Sequence, residues 1–208
     1  MKYILVDNFG NRVAKVVLNN RTGIEGAYQA RDYFRKMKGT SESPPRVSSS
    51  EIFWSSAGAF LGIVSLTVTN YKILDGTDLV MVIGSFGASA VLVYGAAESP
   101  LAQPRNLIGG HVISAIVGVT ADQLLDAELW LGAPLAVSAA IAAMHATRTL
   151  HPPGGGTALI AVIGSAKIHA LGYLFVIIPT GVGAILILVV ALLVNNMPKN
   201  KQYPKFWH

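Results

Sequence analysis

The feature that most constrains this chain is a series of apolar segments that follow one another, with short breaks, from residue 50 almost to the end. A helix needs about 20 apolar residues to cross the hydrocarbon core of a bilayer. The 208 residues are 52% hydrophobic and 13% charged, whereas soluble domains carry about 25% charged residues. A soluble helical core is disfavoured because too little polar surface remains to cover it. The sequence therefore predicts an all-α polytopic membrane protein.

The apolar segments predict five membrane-spanning helices and one shorter segment. The five lie at 52–71, 79–97, 105–125, 130–147 and 170–194, and the shorter one lies at 155–166. If the shorter segment also crosses, all but two of the 16 basic residues fall on the side of both termini. The positive-inside rule then places both termini in the cytoplasm. A five-span alternative would put the C-terminal lysines outside, so we favour six spans.

The residues before the membrane domain predict a small cytoplasmic segment, with no cleaved signal peptide. Short β-prone runs at 3–6 and 13–18 flank the turn-rich sequence DNFGN, which favours a hairpin. A helix is expected at 24–38, which completes a segment spanning 1–38. A Pro/Ser-rich linker at 39–51, the membrane domain at 52–194 and a basic cytoplasmic tail at 195–208 follow. A floppy N-terminal tail is the alternative.

Charge and motif content exclude several function classes. The net charge is +5, but the basic residues flank apolar spans, so membrane topology explains them better than nucleic acid does. The chain has no cysteine, which removes thiolate metal sites and cysteine nucleophiles. It has no HExxH zinc motif, no phosphate-binding loop and no nucleophile elbow. We expect no cofactor, no bound metal and no enzymatic activity.

The sequence HPPGGGT interrupts the apolar pattern near the C-terminus. Prolines and glycines disfavour helix, so we expect a non-helical stretch that enters the membrane and precedes a short helix. Such backbone is tolerated where protein or a water-filled cavity surrounds it. The amides at the helix start would suit an anion. The substrate-binding candidates are His151, Pro152, Pro153, Gly154, Gly155, Gly156 and Thr157.

A second interruption, within IGSFGASA, predicts a paired half-site. A shift of 68 residues places 87–92 (GASAVL) over 155–160 (GGTALI). Two halves of three helices would form an inverted repeat, with the site where the halves meet. The candidates here are Ser85, Phe86, Gly87, Ala88 and Ser89. Close helix packing through small residues is the alternative.

Charged and polar residues near these breaks supply the remaining candidates. We expect Arg105, Asn106 and His111 to contact the substrate, because cationic groups at one mouth attract anions. His111 or His151 could also carry a proton if transport is coupled, since histidine titrates near neutrality. Gating or structural roles are expected for Glu98, Pro100, Gln103, Pro104 and Arg148.

Two alternatives for these residues remain open. Positive-inside topology alone would explain Arg148. A three-histidine zinc site of His111, His145 and His151 is the metal alternative, although nothing in their spacing requires it. His145 is otherwise expected to be a hydrogen-bonded packing residue.

Three motifs in order, GSFGASAVL, ESPLAQPRNLIGGH and TRTLHPPGGGTALIAV, resemble the HPP family of integral membrane proteins. The resemblance covers roughly residues 50–195. The third motif usually reads HPPGGAT in that family, and Gly156 replaces its alanine here. The family is usually described with four predicted membrane helices, and its plant plastid and cyanobacterial members are linked to nitrite transport. The resemblance therefore implies a nitrite transporter or channel in a bacterial inner membrane or a plastid envelope.

Two other functions remain as alternatives to transport of a small anion. One is a membrane-embedded histidine–metal enzyme, and the other is a membrane sensor or assembly protein without transport. The expected partners are the lipid bilayer and a small anion, with no nucleic acid. Close-packing glycines and the small N-terminal segment are compatible with a homo-oligomer.

Overall fold

The computed structural model describes residues 2–6, 12–17, 34–39, 41–77, 79–125 and 129–207, with side chains described from residue 34 onward. The chain divides into two compact units, Met1–Pro45 and Arg46–His208. In the first unit, strands β1 (Lys2–Val6) and β2 (Arg12–Val17) pair antiparallel, with Lys2 opposite Val17. The predicted turn, and the helix predicted at 24–38 up to residue 33, lie outside the described residues. The hairpin-plus-helix segment therefore stays a prediction.

Every element of regular secondary structure in the described part of the second unit is a helix or a helical turn. Helix α1 (Ser49–Val68) continues into a π-helical turn at Thr69–Ile73, and a second π-helical turn at Val176–Gly181 precedes α7. The other elements are a 3₁₀ turn at Pro100–Ala102 and six helices. These helices are α2 (Gly84–Gly95), α3 (Pro104–Leu125), α4 (Leu129–Ala146), α5 (Pro152–Ile163), α6 (Ala166–Leu171) and α7 (Val182–Val194).

Four helical segments of the described chain are long and apolar enough to cross a membrane. They are Ser49–Ile73, Pro104–Leu125, Leu129–Ala146 and Val176–Val194. Helices α2 and α5 have 12 residues each, which is about 18 Å at 1.5 Å per residue, against a hydrocarbon core of about 30 Å. The prediction of six complete spans therefore stays a prediction.

The helix predicted at 79–97 is wrong at its start. Residues 79–83 are not helical, and Ile83 is extended (φ −122°, ψ 147°) immediately before α2. The Met81 amide donates to Asn70 Oδ1 at 2.9 Å, so a side chain of the preceding turn satisfies backbone that a helix would otherwise satisfy. The second helix is consequently a short one.

The non-helical stretch predicted at HPPGGGT is also wrong, because α5 begins at Pro152 and contains all three glycines. Proline suits the first helical position, where its missing N–H has no intrahelical role. At Gly154 the neighbouring helix leaves no room for a side chain: a Cβ there would lie 2.8 Å from the Gly110 carbonyl oxygen of α3. Close packing of α5 on α3 outweighs the low helix propensity of glycine.

The continuous helix predicted at 170–194 is broken in two places. Gly172 adopts a left-handed backbone (φ 49°) after α6. Ile178 is extended (φ −127°, ψ 120°) immediately before Pro179, which lacks the N–H a helix would use. Beside this kink, Thr180 Oγ1 is the buried side-chain polar atom without a hydrogen-bond partner among the described residues. The last membrane segment therefore contains an internal kink.

Helix α3 occupies the centre of this unit, packing against α4 and α5, while α2 packs against α1 and α5. Gly110, Ser114 and Gly118 of α3 are buried. A Cβ on Gly118 would lie 2.7 Å from the Ala158 carbonyl oxygen of α5. This row of small residues brings the α3 and α5 backbones together, which places the start of α5 beside the middle of α3.

Candidate functional site

Five buried polar side chains, from α2, α3, α5 and the residue before α5, meet where the starts of α2 and α5 converge on α3. We call Ser85, Ser89, His111, His151 and Thr157 the junction; all are at most 4% exposed. Ser89 Oγ lies 2.6 Å from His111 Nε2 and 3.0 Å from His151 Nε2. Thr157 Oγ1 lies 2.7 Å from His111 Nδ1 and 2.9 Å from Ser85 Oγ. These contacts form one connected polar network inside an otherwise apolar bundle.

The backbone around His151 fixes the position of its ring. His151 Nδ1 donates to the Leu101 carbonyl oxygen at 2.8 Å. One residue earlier, the Leu150 carbonyl oxygen accepts from Asn106 Nδ2 at 2.8 Å. Gly110 has no side chain where the His151 Cβ packs against α3. The 3₁₀ turn and α3 therefore hold this histidine beside His111, with a ring-centroid separation of 5.0 Å.

A groove of about 650 Å³ runs between α2 and α5 and reaches the junction. We call it the α2–α5 groove. Ser85 is the junction residue that lines it, together with Gly84, Ala88, Pro152, Pro153 and Gly156, among others. No side-chain hydrogen bond caps the start of α2. The Phe86 amide donates to the Ile83 carbonyl oxygen at 3.1 Å, which leaves the Gly84 and Ser85 amides without a partner within the helix. The polar end of the groove thus combines a serine hydroxyl with the start of a helix.

Residues 44–204 of the chain match the family model of the HPP transmembrane region. The chain belongs to the HPP transmembrane family. Two proteins of Dictyostelium discoideum, both described as transmembrane proteins, are similar to it. The first is 44% identical over 178 residues, which cover 84% of this chain and 57% of that protein. The second is 42% identical over 180 residues, which cover 84% of this chain and 63% of that protein.

The chain thus spans less than two thirds of the length of these two relatives. No solved structure matches it significantly. The resemblance to the HPP family inferred from three motifs is confirmed, and so is an integral, multi-pass membrane protein.

Some residues of the HPPGGGT motif belong to the junction, and others line the α2–α5 groove. His151 and Thr157 face the junction, whereas Pro152, Pro153 and Gly156 line the groove. The two prolines have no N–H, and the Gly154 amide donates to the His151 carbonyl oxygen at 2.8 Å. The first three residues of α5 therefore offer no free amide, contrary to the expected anion-binding helix start.

The predicted half-site at residues 85–89 likewise contributes some residues to the junction and one to the α2–α5 groove. Ser85 and Ser89 belong to the junction, and the Phe86 ring lies 5.1 Å, centroid to centroid, from that of His111. Ala88 lines the α2–α5 groove. Gly87 is exposed, and a Cβ placed on it would meet no atom within 4 Å. The structure thus brings together serines and histidines that lie 22 and 62 residues apart along the chain.

Arg105 and Asn106 contact the backbone that precedes the HPP motif. Arg105 donates through an Nη to the Thr147 carbonyl oxygen at 2.9 Å. Arg148, in the same turn, is exposed and has a left-handed backbone (φ 57°). These contacts give Arg105 and Asn106 a role in shaping the 147–150 turn, in addition to the substrate role expected of them.

The residues expected to gate or shape the loop before α3 fasten the C-terminal tail. Glu98 pairs with Lys205 at 2.9 Å, and Gln103 Oε1 accepts from the Lys205 amide at 2.7 Å. Pro100 begins the 3₁₀ turn and Pro104 begins α3. Tyr203 donates to the Ala102 carbonyl oxygen at 2.8 Å, and burial raises the pKa of this hydroxyl, so it stays protonated at neutral pH. The tail therefore holds the loop that presents the Leu101 carbonyl.

Sequence reasoning missed the Leu101 carbonyl, Gly84 and the tail residue Tyr203. A backbone carbonyl leaves no residue-type signal, although gating or structural roles were expected for Pro100 and Pro104 on either side of Leu101. Gly84 is the first residue of the GSFGASAVL motif, but it was not among the candidate site residues. Nothing in the sequence links Tyr203 to a loop 101 residues away.

The three-histidine metal site is not assembled. His111 and His151 are adjacent and buried, whereas His145 is exposed on α4. Within the ranges that the structure describes, no group of three or more His, Cys, Asp or Glu side chains is placed to hold a metal ion.

Proposed function

We propose that the protein transports a small inorganic anion, nitrite first among the candidates, along the α2–α5 groove and past the junction. The observation that carries this proposal is the buried five-residue network at the meeting point of the two 12-residue helices α2 and α5. Polar side chains within a membrane domain are costly and usually mark a substrate or ion path. Short helices meeting at the interface of two halves are a recurring plan of transporters.

The repeat supports the same interpretation. Helices α2 and α5 have the same length, 12 residues, and start at Gly84 and Pro152, which is the offset of 68 seen in the sequence motifs. Each contributes a hydroxyl, Ser85 and Thr157, to a contact of 2.9 Å. Two related half-sites that face each other favour a single central site over two separate ones.

Nitrite suits the chemistry of this site. Its single charge is spread over two oxygens, so hydroxyl and amide donors can bind it without a buried ion pair that would slow release. Ser85 and the first amides of α2 offer such donors at the polar end of the groove. The nitrite assignment itself comes from what the family resemblance implies, since the Dictyostelium relatives are described only as transmembrane proteins.

We further propose six membrane-crossing segments with both termini in the cytoplasm, and a homo-oligomeric assembly. All but two of the basic residues then lie on the cytoplasmic side, as the positive-inside rule expects.

Uptake by reconstituted vesicles tests the function directly. The full chain in proteoliposomes is expected to take up nitrite at least tenfold faster than protein-free vesicles at pH 7.5, where passive entry of nitrous acid is slow. Nitrate, formate and chloride added outside in excess then rank the anions by competition. Nitrite entry at the protein-free rate, with no competition by any of these anions, would contradict the proposal.

A further inference from the structure

The hydrogen-bond donors of the junction can be assigned from its end at Leu101. A carbonyl oxygen only accepts hydrogen bonds, so His151 Nδ1, 2.8 Å from the Leu101 oxygen, carries a proton. A neutral His151 therefore has an unprotonated Nε2. That nitrogen faces Ser89 Oγ at 3.0 Å.

Ser89 has one hydroxyl proton but two histidine neighbours. Its Oγ lies 2.6 Å from His111 Nε2 and 3.0 Å from His151 Nε2. One proton cannot serve two acceptors, so at least one of these two nitrogens must carry its own proton. The tautomer of His111 is therefore linked to the charge of His151.

Two arrangements satisfy the four contacts between junction side chains. In both, the Ser89 hydroxyl donates to a histidine and not to the Ser85 carbonyl oxygen 3.2 Å away. In the first, Thr157 donates to Ser85 Oγ, as their geometry indicates. His111 Nδ1 then donates to Thr157, Ser89 donates to His111 Nε2, and His151 must be an imidazolium that donates to Ser89. In the second, each hydrogen bond of the junction has the opposite direction. Ser85 donates to Thr157, Thr157 to His111 Nδ1, His111 Nε2 to Ser89, and Ser89 to His151 Nε2, so both histidines are neutral. The two arrangements differ by one proton.

We propose that the five junction residues form a proton chain between the α2–α5 groove and His151, and that this chain couples anion transport to proton movement. The coupling rests on the proposed function; the chain itself does not. A hydronium ion in the groove gives a proton to Ser85 Oγ, whose own proton passes to Thr157 Oγ1. The Thr157 proton passes to His111 Nδ1, the His111 Nε2 proton to Ser89 Oγ, and the Ser89 proton to His151 Nε2. Each bond to hydrogen that breaks is replaced by one that forms, leaving a water molecule and an imidazolium.

Other ionisable groups on the surrounding helices are engaged elsewhere or exposed. Tyr94 of α2 donates to the Ile187 carbonyl oxygen, and Arg105 donates to Thr147. Asp122 pairs with His169 at 3.1 Å, Glu98 pairs with Lys205, and Glu51 of α1 pairs with Lys201. His145, Arg148 and Lys167 are exposed. Among the described residues, His111 is thus the ionisable group in ring contact with His151.

The proton chain has a direct consequence for anion binding. Pro152, next to His151, lines the groove, so an imidazolium at His151 places a positive charge close to the path of the anion. Opposite charges attract strongly where water is scarce. Protonation at His151 is expected to raise occupancy of the groove by nitrite, and loss of the proton to favour release.

Nitrogen NMR on the full chain tests the proton chain without nitrite. The protein is labelled with ¹⁵N-histidine in lipid nanodiscs, and its five histidines are assigned by single His→Gln variants. As pH falls, His111 is expected to change from the Nε2–H to the Nδ1–H tautomer in step with the charging of His151. A His111 tautomer that stays fixed while His151 titrates, or a His151 that never titrates over the stable pH range, overturns the chain.

A matched pair at Thr157 tests the coupling. Thr157→Ser keeps the hydroxyl and Thr157→Val replaces it with a methyl group of similar size. With the membrane potential clamped, an inside-alkaline pH gradient should accelerate nitrite uptake by wild type and by Thr157→Ser. In Thr157→Val, the increase in uptake caused by the gradient should be at least tenfold smaller. Ser89→Ala breaks the chain at a second point and replaces Thr157→Val in the test if that variant does not fold. It should lose the same gradient-driven part of nitrite uptake. Gradient-independent uptake by wild type overturns coupling alone, whereas absent uptake contradicts the transport function and leaves the NMR result standing.

Discussion

Replacing Gly154 with alanine is expected to lower the melting temperature of the purified protein by about 5–10 °C. A Cβ at this position would lie 2.7 Å from Ser114 Oγ, 2.8 Å from the Gly110 carbonyl oxygen and 3.0 Å from Met144 Sδ. Two of these atoms belong to α3, whose backbone cannot move without disturbing the junction. Overpacking of this kind costs about 1–3 kcal/mol, and each kcal/mol shifts the melting temperature by about 2–4 °C in a chain of this size.

The neighbouring glycine is the matched control. A Cβ on Gly155 would lie 3.8 Å from Val137 Cγ1, an ordinary contact. Alanine is favoured over glycine in a helix by about 1 kcal/mol, so Gly155→Ala should melt at or slightly above the wild-type temperature. Light scattering or tryptophan fluorescence during heating in detergent measures both variants. Equal melting temperatures for the two would mean that α5 does not pack on α3 as closely as described.

Replacing His111 with leucine is expected to abolish most nitrite uptake while leaving the protein folded. His111 is fully buried and connects Ser89 of α2 with Thr157 of α5. Leucine is similar in size, and the remaining polar groups keep partners: Ser89 can donate to His151 Nε2 at 3.0 Å, and Thr157 to Ser85 Oγ at 2.9 Å. Unsatisfied buried polar groups are thus avoided, so the melting temperature should fall by only a few degrees.

We expect the two measurements on His111→Leu to differ: nitrite uptake falls at least tenfold, whereas the melting temperature falls by only a few degrees. Leu107→Met, a conservative change at a fully buried position one turn earlier on α3, serves as the control and should retain uptake. If His111→Leu transports nitrite at the wild-type rate, the junction is a packing element and not part of the anion path.

Long apolar helices were the part of this fold that sequence predicted well. The helices predicted at 105–125 and 130–147 correspond to Pro104–Leu125 and Leu129–Ala146. Their bounds followed from length, apolar content and proline placement, which are local properties. Breaks were predicted less well, because the same proline is a helix breaker in the interior and a favoured first residue at the start. Only the tertiary contacts of Gly154 with α3 decide that 152–156 is helical.

The sequence predicted which residues form the candidate site better than it predicted what they contact. Paired motifs 68 residues apart were expected to meet, and Ser85, Ser89, His151 and Thr157 do meet around His111. The partners of Arg105 and Asn106 could not be predicted, because they are the backbone carbonyls of residues 147 and 150. Contacts to backbone depend on the path of the chain and leave no trace in residue type. Whether these residues also contact an anion stays a prediction.

A pair of single cysteines tests most directly whether the anion passes along the α2–α5 groove. The natural chain has no cysteine, so Ala88→Cys in this groove and Ala139→Cys in a groove of about 610 Å³ between α3 and α4 are each the sole thiol. Both alanines are exposed on helices. We expect a negatively charged thiosulfonate to modify Ala88→Cys and block nitrite uptake, nitrite in excess to slow this modification, and uptake by Ala139→Cys to be unaffected. Uptake by Ala88→Cys that survives the reagent, or a block that nitrite does not slow, would contradict passage of the anion along the α2–α5 groove.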